Sequence, residues 1–378
     1  MMPEFFYDLP NVFFVFIFIL VMTATKKIPI WLSIILILTS LFPFLLNDVL
    51  FPTSYMPDQF KYFSVVRSLR ELDIPEEYYS STVKTAGWIL AFIPLPVVES
   101  PTSLGFFNRF LYCFLIVWLY HKKKIRGIPL VFLALYPSAV LYTSLALRDT
   151  LILFLMVISI IAIVDDRKKV LLMAMVPLFF LKFQNFFIIA LFYPFYLILT
   201  RETLLYKSRK LLFPVILFSL AGMASFIQNV ISLVDFYRRA MFVEDGGDIA
   251  MYTSLVGISD FFKLAITSAP HFLMKPFFWE VESNLQLLQS LENIFMAMFL
   301  FLLFSSSFSI DKKISFKWLC FLLGALSIYG IVVFNFGTAA RYRFPFLIAT
   351  VIGLTYDIYI NHSVFLLRRV KVRVNSVT

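Results

Sequence analysis

Apolar runs of lipid length recur along the whole chain, at about 10–25, 28–46, 104–120, 128–147, 150–164, 170–182, 183–200, 211–231, 290–309, 315–336 and 344–360. Most are long enough for a helix to cross a hydrocarbon core of about 30 Å. The runs 170–182 and 183–200 share a polar break, Lys182-Phe-Gln184-Asn185, that marks a hairpin or a broken helix. Residues 85–99 are apolar but short and carry Pro94 and Pro96. They read as a re-entrant or interfacial element, tolerable only where protein shields the backbone. Ile258, Phe261, Phe262, Ala265, Ile266 and Ala269 share one helical face. That pattern predicts a helix lying in the membrane interface and ended by Pro270. The expected fold is all-α, a polytopic integral membrane protein of about eleven spans. It forms one transmembrane domain over 1–378, with two large outer segments, 47–103 and 232–290.

Composition supports this reading. Of 378 residues 61% are hydrophobic and only 15% charged, too few polar groups to cover a soluble surface of that size. Cys113 and Cys320 lie inside apolar runs, so neither a disulfide nor a cysteine metal site is expected. His121, His271 and His362 are scattered, without metal-ligand spacing. No P-loop and no Gly-x-Gly-x-x-Gly occurs, which argues against ATP hydrolysis and dinucleotide chemistry. No cofactor is expected. The acidic start, Met1 to Asp8, does not read as a cleaved signal peptide.

Charge then orients the spans. Basic clusters lie at Lys26-Lys27, Lys122 to Arg126, Arg167 to Lys169, Arg201 with Lys207 to Lys210, Lys312-Lys313 with Lys317, and Arg368 to Arg373. They hold 20 of the 33 lysines and arginines beside only four acids, Asp165, Asp166, Glu202 and Asp311. They fall at every second boundary, so the positive-inside rule places them in the cytoplasm, the N-terminus outside and the C-terminus inside. The net charge of +10 is then a topology signal rather than a nucleic-acid footprint.

On the outer side this topology gathers Asp58, Arg148-Asp149, the stretch His271 to Glu280, Glu292-Asn293, and Arg341 with Arg343. Each has a structural reading. Membrane-end arginines anchor to headgroups, Arg148-Asp149 can neutralise itself in a turn, Asp58 suits a helix N-terminus, and the aromatics form an interfacial belt. Anchors, however, favour the cytoplasmic side, and these arginines do not. Lys182, between two apolar runs, points more strongly to function.

In layout, the order Asp58, Pro137 to Asp149, Pro270 to Trp279, Glu292-Asn293 and Thr338-Ala-Ala-Arg341-Tyr-Arg343-Phe-Pro345 resembles the Wzy-type O-antigen and exopolysaccharide polymerases of bacteria. More broadly it is similar to the GT-C membrane glycosyltransferases, although Asp58 follows the second span rather than the first. The resemblance implies a bacterial inner-membrane enzyme of lipopolysaccharide or exopolysaccharide biosynthesis. It would polymerise repeat units carried on undecaprenyl pyrophosphate, with membrane lipids and a chain-length regulator as candidate partners. A pyrophosphate leaving group needs fixed positive charge, for which Arg148, Arg341 and Arg343 are the candidates, with Lys182 beside them. The acceptor hydroxyl needs a general base, and the candidates are Asp149 and Asp58, then Glu280 and Glu292. The rival readings are a GT-C transferase using a polyprenyl-monophosphate sugar and a lipid-linked sugar flippase. A flippase should carry midplane charges and internal repeats, and no repeat is visible.

Overall fold

The computed structural model describes residues 5–46, 49–51, 56–73, 79–92, 96–200, 228–244, 247–255 and 257–375. Among them the secondary structure is helical, with no strand. Six helices are long and apolar enough to cross a membrane: Phe6–Ala24, Pro101–His121, Phe183–Thr200, Asn284–Ile310, Lys312–Gly330 and Phe336–Asn361. Their outer faces are hydrocarbon. On the first, Phe13, Ile17 and Leu20 are more than half exposed while Val12, Val15 and Ile19 are buried. Stripes of this kind would be costly in water, and the architecture is compatible with a helical membrane protein.

The other expected runs are shorter or broken. Run 28–46 splits into α2 (Ile30–Thr39) and α3 (Pro43–Leu46). Run 128–147 splits into α7 (Ile128–Leu135) and α8 (Pro137–Tyr142). Pro137 pushes Tyr136 to φ −58°, ψ 114°, outside the helical region, as a proline does to the residue before it. α9 (Asp149–Val164) and α10 (Lys168–Leu181) have 16 and 14 residues. Most of run 211–231 and the cluster Arg201 to Lys210 lie outside the described residues.

The chain divides into two compact units, 1–189 with 351–378, and 190–350. In the first, α1 (Phe5–Ala24) packs on α2 and on α6 (Pro101–His121), and α6 packs on α9. α6 is central: 72% of its apolar window is buried, against 28% for α1. Its N-terminus is fixed by a reciprocal cap between Ser100 and Ser103. Both hydroxyls also donate to the buried Asp8 carboxylate of α1, at 2.7 and 2.5 Å. α4 (Asp58–Arg70) and α5 (Ser81–Ala91) form a hairpin, and Arg70 Nε donates to Ala91 O at the end of α5. At 11 residues α5 is about 16 Å long, too short to span.

α11 (Phe183–Thr200) runs from the first unit into the second. The second unit holds α12, described over 228–244, α13 (Ile258–Met274), α14 (Asn284–Ile310), α15 (Lys312–Gly330) and the start of α16 (Phe336–Asn375). α13 continues through Pro270 rather than ending there. Its packed face is Ser268, Ala269 and Phe272 against α15, while Ile258, Phe262 and Ile266 stay exposed. The predicted interfacial stripe is therefore only partly the face that packs. Lys317, expected in a solvated basic loop, is buried in α15 instead. Its Nζ donates to Thr200 Oγ1 at 2.9 Å and lies 4.1 Å from the Tyr196 ring centre.

Gly330 lets α13 approach α15, since a Cβ there would lie 2.7 Å from Ser268 O and 2.9 Å from Phe272 Cβ. Gly330→Ala is expected to destabilise the protein by about 1–3 kcal/mol, read as a lower midpoint in thermal unfolding of the detergent-solubilised chain.

Candidate functional site

In the first unit the turn between α8 and α9 is buried, which is unusual for a connection. Thr143, Ala146 and Leu147 have no exposed surface, and Ser144, Leu145, Asp149 and Thr150 almost none. A buried turn must find partners for its backbone inside the fold, and neighbouring side chains supply them. Asn108 Nδ2 on α6 donates to Leu145 O at 2.6 Å and Leu147 O at 2.7 Å. Ala146 N donates to Gln59 Oε1 of α4 at 3.3 Å. Gly105 leaves room for the approach, because a Cβ there would lie 2.4 Å from Ser144 O.

Arg109 sits beneath this turn, fully buried in α6. It donates from Nη1 to Thr143 Oγ1 at 2.9 Å and from Nη2 to Thr39 Oγ1 of α2, and it lies 5.3 Å from the Tyr112 ring centre. Its acceptors are hydroxyls and a π face; among the described residues no carboxylate pairs with it. Four buried polar atoms around the turn have no hydrogen-bond partner among the described residues: Asn108 Oδ1, Arg109 Nε, Arg148 Nη1 and Thr150 Oγ1. Orphans of this kind are rare in folded proteins.

Arg148 precedes the first residue of α9, and among the described residues its guanidinium has neither hydrogen bond nor ion pair. Asp149 opens α9 and is buried. The start of a helix presents free N–H groups and a positive dipole end. Arg148, the N–H groups of α9 and the Thr150 hydroxyl thus form a cationic, donor-rich turn suited to an anion.

The remaining candidates are placed differently. Asp58 begins α4 beside Gln59, so its helix meets the turn, but its half-exposed carboxylate accepts from Lys61 at 3.0 Å. Lys182 is partly buried in an extended link between α10 and α11, and Asn185 Nδ2 reaches Met156 Sδ of α9 at 3.0 Å. Among the described residues no three His, Cys, Asp or Glu side chains come together as a metal site requires.

The second unit corrects the reading of Arg343. Arg341 and Arg343 both lie in α16, whose start is capped by Asn335 Oδ1, 2.8 Å from Gly337 N and 3.2 Å from Thr338 N. Two residues apart on a helix, they point to different faces. Arg343 is fully buried, and its Nη1 donates to Phe272 O, Leu273 O and Lys275 O at 3.1, 2.9 and 3.1 Å. Its Nη2 donates to Asn293 Oδ1, and Asn293 Nδ2 donates to Met274 O and Lys275 O at 2.9 and 3.0 Å. Those are the last carbonyls of α13 and its cap, which lack helical partners and carry the negative dipole end. Arg343 is a helix C-cap: both Nη atoms are engaged, while its buried Nε has no hydrogen-bond partner among the described residues. Arg341 is partly buried, with its guanidinium 5.9 Å from the neighbouring Tyr342 ring. Glu280 closes a local turn, accepting from Phe277 N at 3.1 Å, with Lys275 Nζ at 3.8 Å. Glu292 is partly buried on α14 beside Asn293.

Sequence reasoning passed over Asn108-Arg109. The signal was available: a polar pair inside an apolar run, the same feature that singled out Lys182. Comparison with protein-family models, curated proteins and solved structures finds no match to this chain.

The two arginines should separate in stability. Arg343→Lys cannot reproduce a fork held by three carbonyls and an amide, and is expected to cost about 2–3 kcal/mol. Arg148→Ala removes no hydrogen bond among the described residues and should shift the thermal midpoint of the purified protein much less than Arg343→Lys.

Proposed function

We propose that this chain is a membrane glycosyltransferase that joins oligosaccharide repeat units carried on undecaprenyl pyrophosphate, at the outer face of the bacterial inner membrane. The observation that supports this most is Arg148, a cation at a helix start with a buried nitrogen that has no hydrogen-bond partner among the described residues. In this reading the acceptor sugar hydroxyl attacks the anomeric carbon of the donor repeat. The bond from that carbon to the pyrophosphate oxygen breaks, and negative charge develops on the leaving group. Arg148 and the N–H groups of α9 stabilise that charge in a poorly hydrated setting. Asp149 accepts the hydroxyl proton as general base, and Asp58, held by Lys61, ranks second. Asp149 is favoured by its place in the buried turn, next to Arg148 at the start of α9.

The assignment of Arg341 and Lys182 to the same pyrophosphate rests on the sequence resemblance. Arg343, occupied as a cap, is left out of the clamp. The same reading carries about eleven spans, with the N-terminus outside and the C-terminus in the cytoplasm.

The test is the polysaccharide ladder of a deletion strain complemented with variants at matched expression. Loss of the ladder with a single capped repeat retained is expected for the deletion and for Arg148→Ala. A drop of about 10²–10³-fold in polymer is the scale for losing one such electrostatic donor. Arg148→Lys should restore part of the activity and Asp149→Asn none. A full ladder with Arg148→Ala would sink the proposal. An incomplete repeat in the deletion strain would point instead to a single-sugar transferase, and cytoplasmic accumulation of lipid-linked repeats to a flippase.

A further inference from the structure

Two basic loops of the first unit meet at one end of its helices. Lys124, after α6, donates from Nζ to Asp165 Oδ2 at 3.0 Å and to Tyr356 OH at 2.6 Å, and Tyr356 OH donates to Asp165 Oδ1 at 2.6 Å. Burial pulls Lys124 below the ordinary lysine range, and the Asp165 hydrogen bond offsets part of that. Both Asp165 oxygens are therefore engaged. Arg167 reaches Asp165 only at 3.6 Å with its side chain 68% exposed, so most of its fork faces outward.

Beneath this charged end lies a cavity of about 290 Å³ between α6, α9 and the start of α10. Its walls include Phe114, Trp118, Phe154 and Ile158, and its mouth is Lys124, Asp165 and Arg167. Phe114 and Val170 are each more than a third exposed at its rim, so it opens sideways along the helices. The span of α6 ends at His121 and α9 ends at Val164, which puts the mouth where a bilayer turns from hydrocarbon to headgroups. A sugar in the apolar depth would leave its hydroxyls unpaired, which is costly; a hydrocarbon chain would not. The two loops carry seven cations (Lys122, Lys123, Lys124, Arg126, Arg167, Lys168 and Lys169) against Asp165 and Asp166, complementary to an anionic headgroup.

We infer that this cavity holds one acyl chain of an anionic phospholipid whose phosphate is bound by Lys124 and Arg167. The site is separate from the Arg148 turn and does not depend on the proposed glycosyl transfer. It gives the first unit a bound lipid that ties the α6–α9–α10 packing to the headgroup layer. Lys124 holds the loops together, and Arg167 supplies the uncommitted fork.

Native mass spectrometry of the purified full chain, titrated with phosphatidylglycerol or phosphatidylcholine, tests the inference. One phosphatidylglycerol per chain should bind about fivefold or more tighter than phosphatidylcholine, the scale of one or two headgroup charges. Arg167→Ala, at a position whose side chain is mostly exposed, should remove about fivefold of that preference. Arg126→Ala, in the loop that carries Lys124 but outside the cavity, should leave it unchanged. Ile158→Trp or Ala162→Leu, which fill the cavity, should abolish tight binding of either lipid. The inference is overturned if Arg126→Ala weakens binding as much as Arg167→Ala, since diffuse loop charge then suffices. It is overturned as well if both filled variants, correctly folded by thermal midpoint, bind as before. Competition by glycerol phosphate as effective as by the phospholipid would make this a free-anion site. Displacement by undecaprenyl phosphate at equal concentration would make it a site for the polyprenyl carrier.

Discussion

A cation buried in an apolar helix bundle must find its acceptors inside the fold, and much of this architecture follows from where three of them find theirs. Arg109 ties α6 to Thr39 of α2 and to Thr143 at the end of α8. Arg343 ties α16 to the last carbonyls of α13 and to Asn293 of α14. Lys317 ties α15 to Thr200 and the Tyr196 ring of α11. Their partners described above are hydroxyls, carbonyls, an amide and aromatic faces. Neutral acceptors satisfy hydrogen-bonding geometry without cancelling charge, so a positive field remains where Arg109 is buried. That field lies under the turn bearing Arg148.

The hydrophobic pattern located the helices well and their interruptions poorly. A run such as 128–147 reads as one span because hydropathy counts residues, whereas Pro137 acts on the backbone of Tyr136 and divides it. Pro270 was read as a stop, yet α13 continues to Met274. A proline inside a helix costs one hydrogen bond and some strain, and packing of Ser268, Ala269 and Phe272 on α15 holds the helix through it.

Site residues divide along the same line. Arg148-Asp149 was legible because both charges sit next to each other at the tip between two apolar runs. Asn108-Arg109 was equally visible as a polar pair but lacked a neighbouring polar loop to draw attention. The role of Arg343 was not legible at all. Its acceptors come from residues 272 to 275, some seventy positions away, and from Asn293. Only a fold can tell a guanidinium whose Nη atoms are engaged from one with an open Nη.

That distinction carries more weight than charge or sidedness. Arg343 has the residue type expected of a phosphate clamp, yet its Nη atoms are occupied by the C-terminus of α13, and engaging an anion would uncap that helix. Arg148 has no partner among the described residues to surrender. An anion arriving at Nη1 breaks no hydrogen bond there, so its interaction energy is not set against a lost one. Asp149 beside it is buried at the start of α9. A transfer reaction needs those two functions separable, because the base must gain a proton while the cation holds its charge. Asn108, Gln59 and Arg109 bear the structural load beneath the turn, so Arg148 is not needed to hold it.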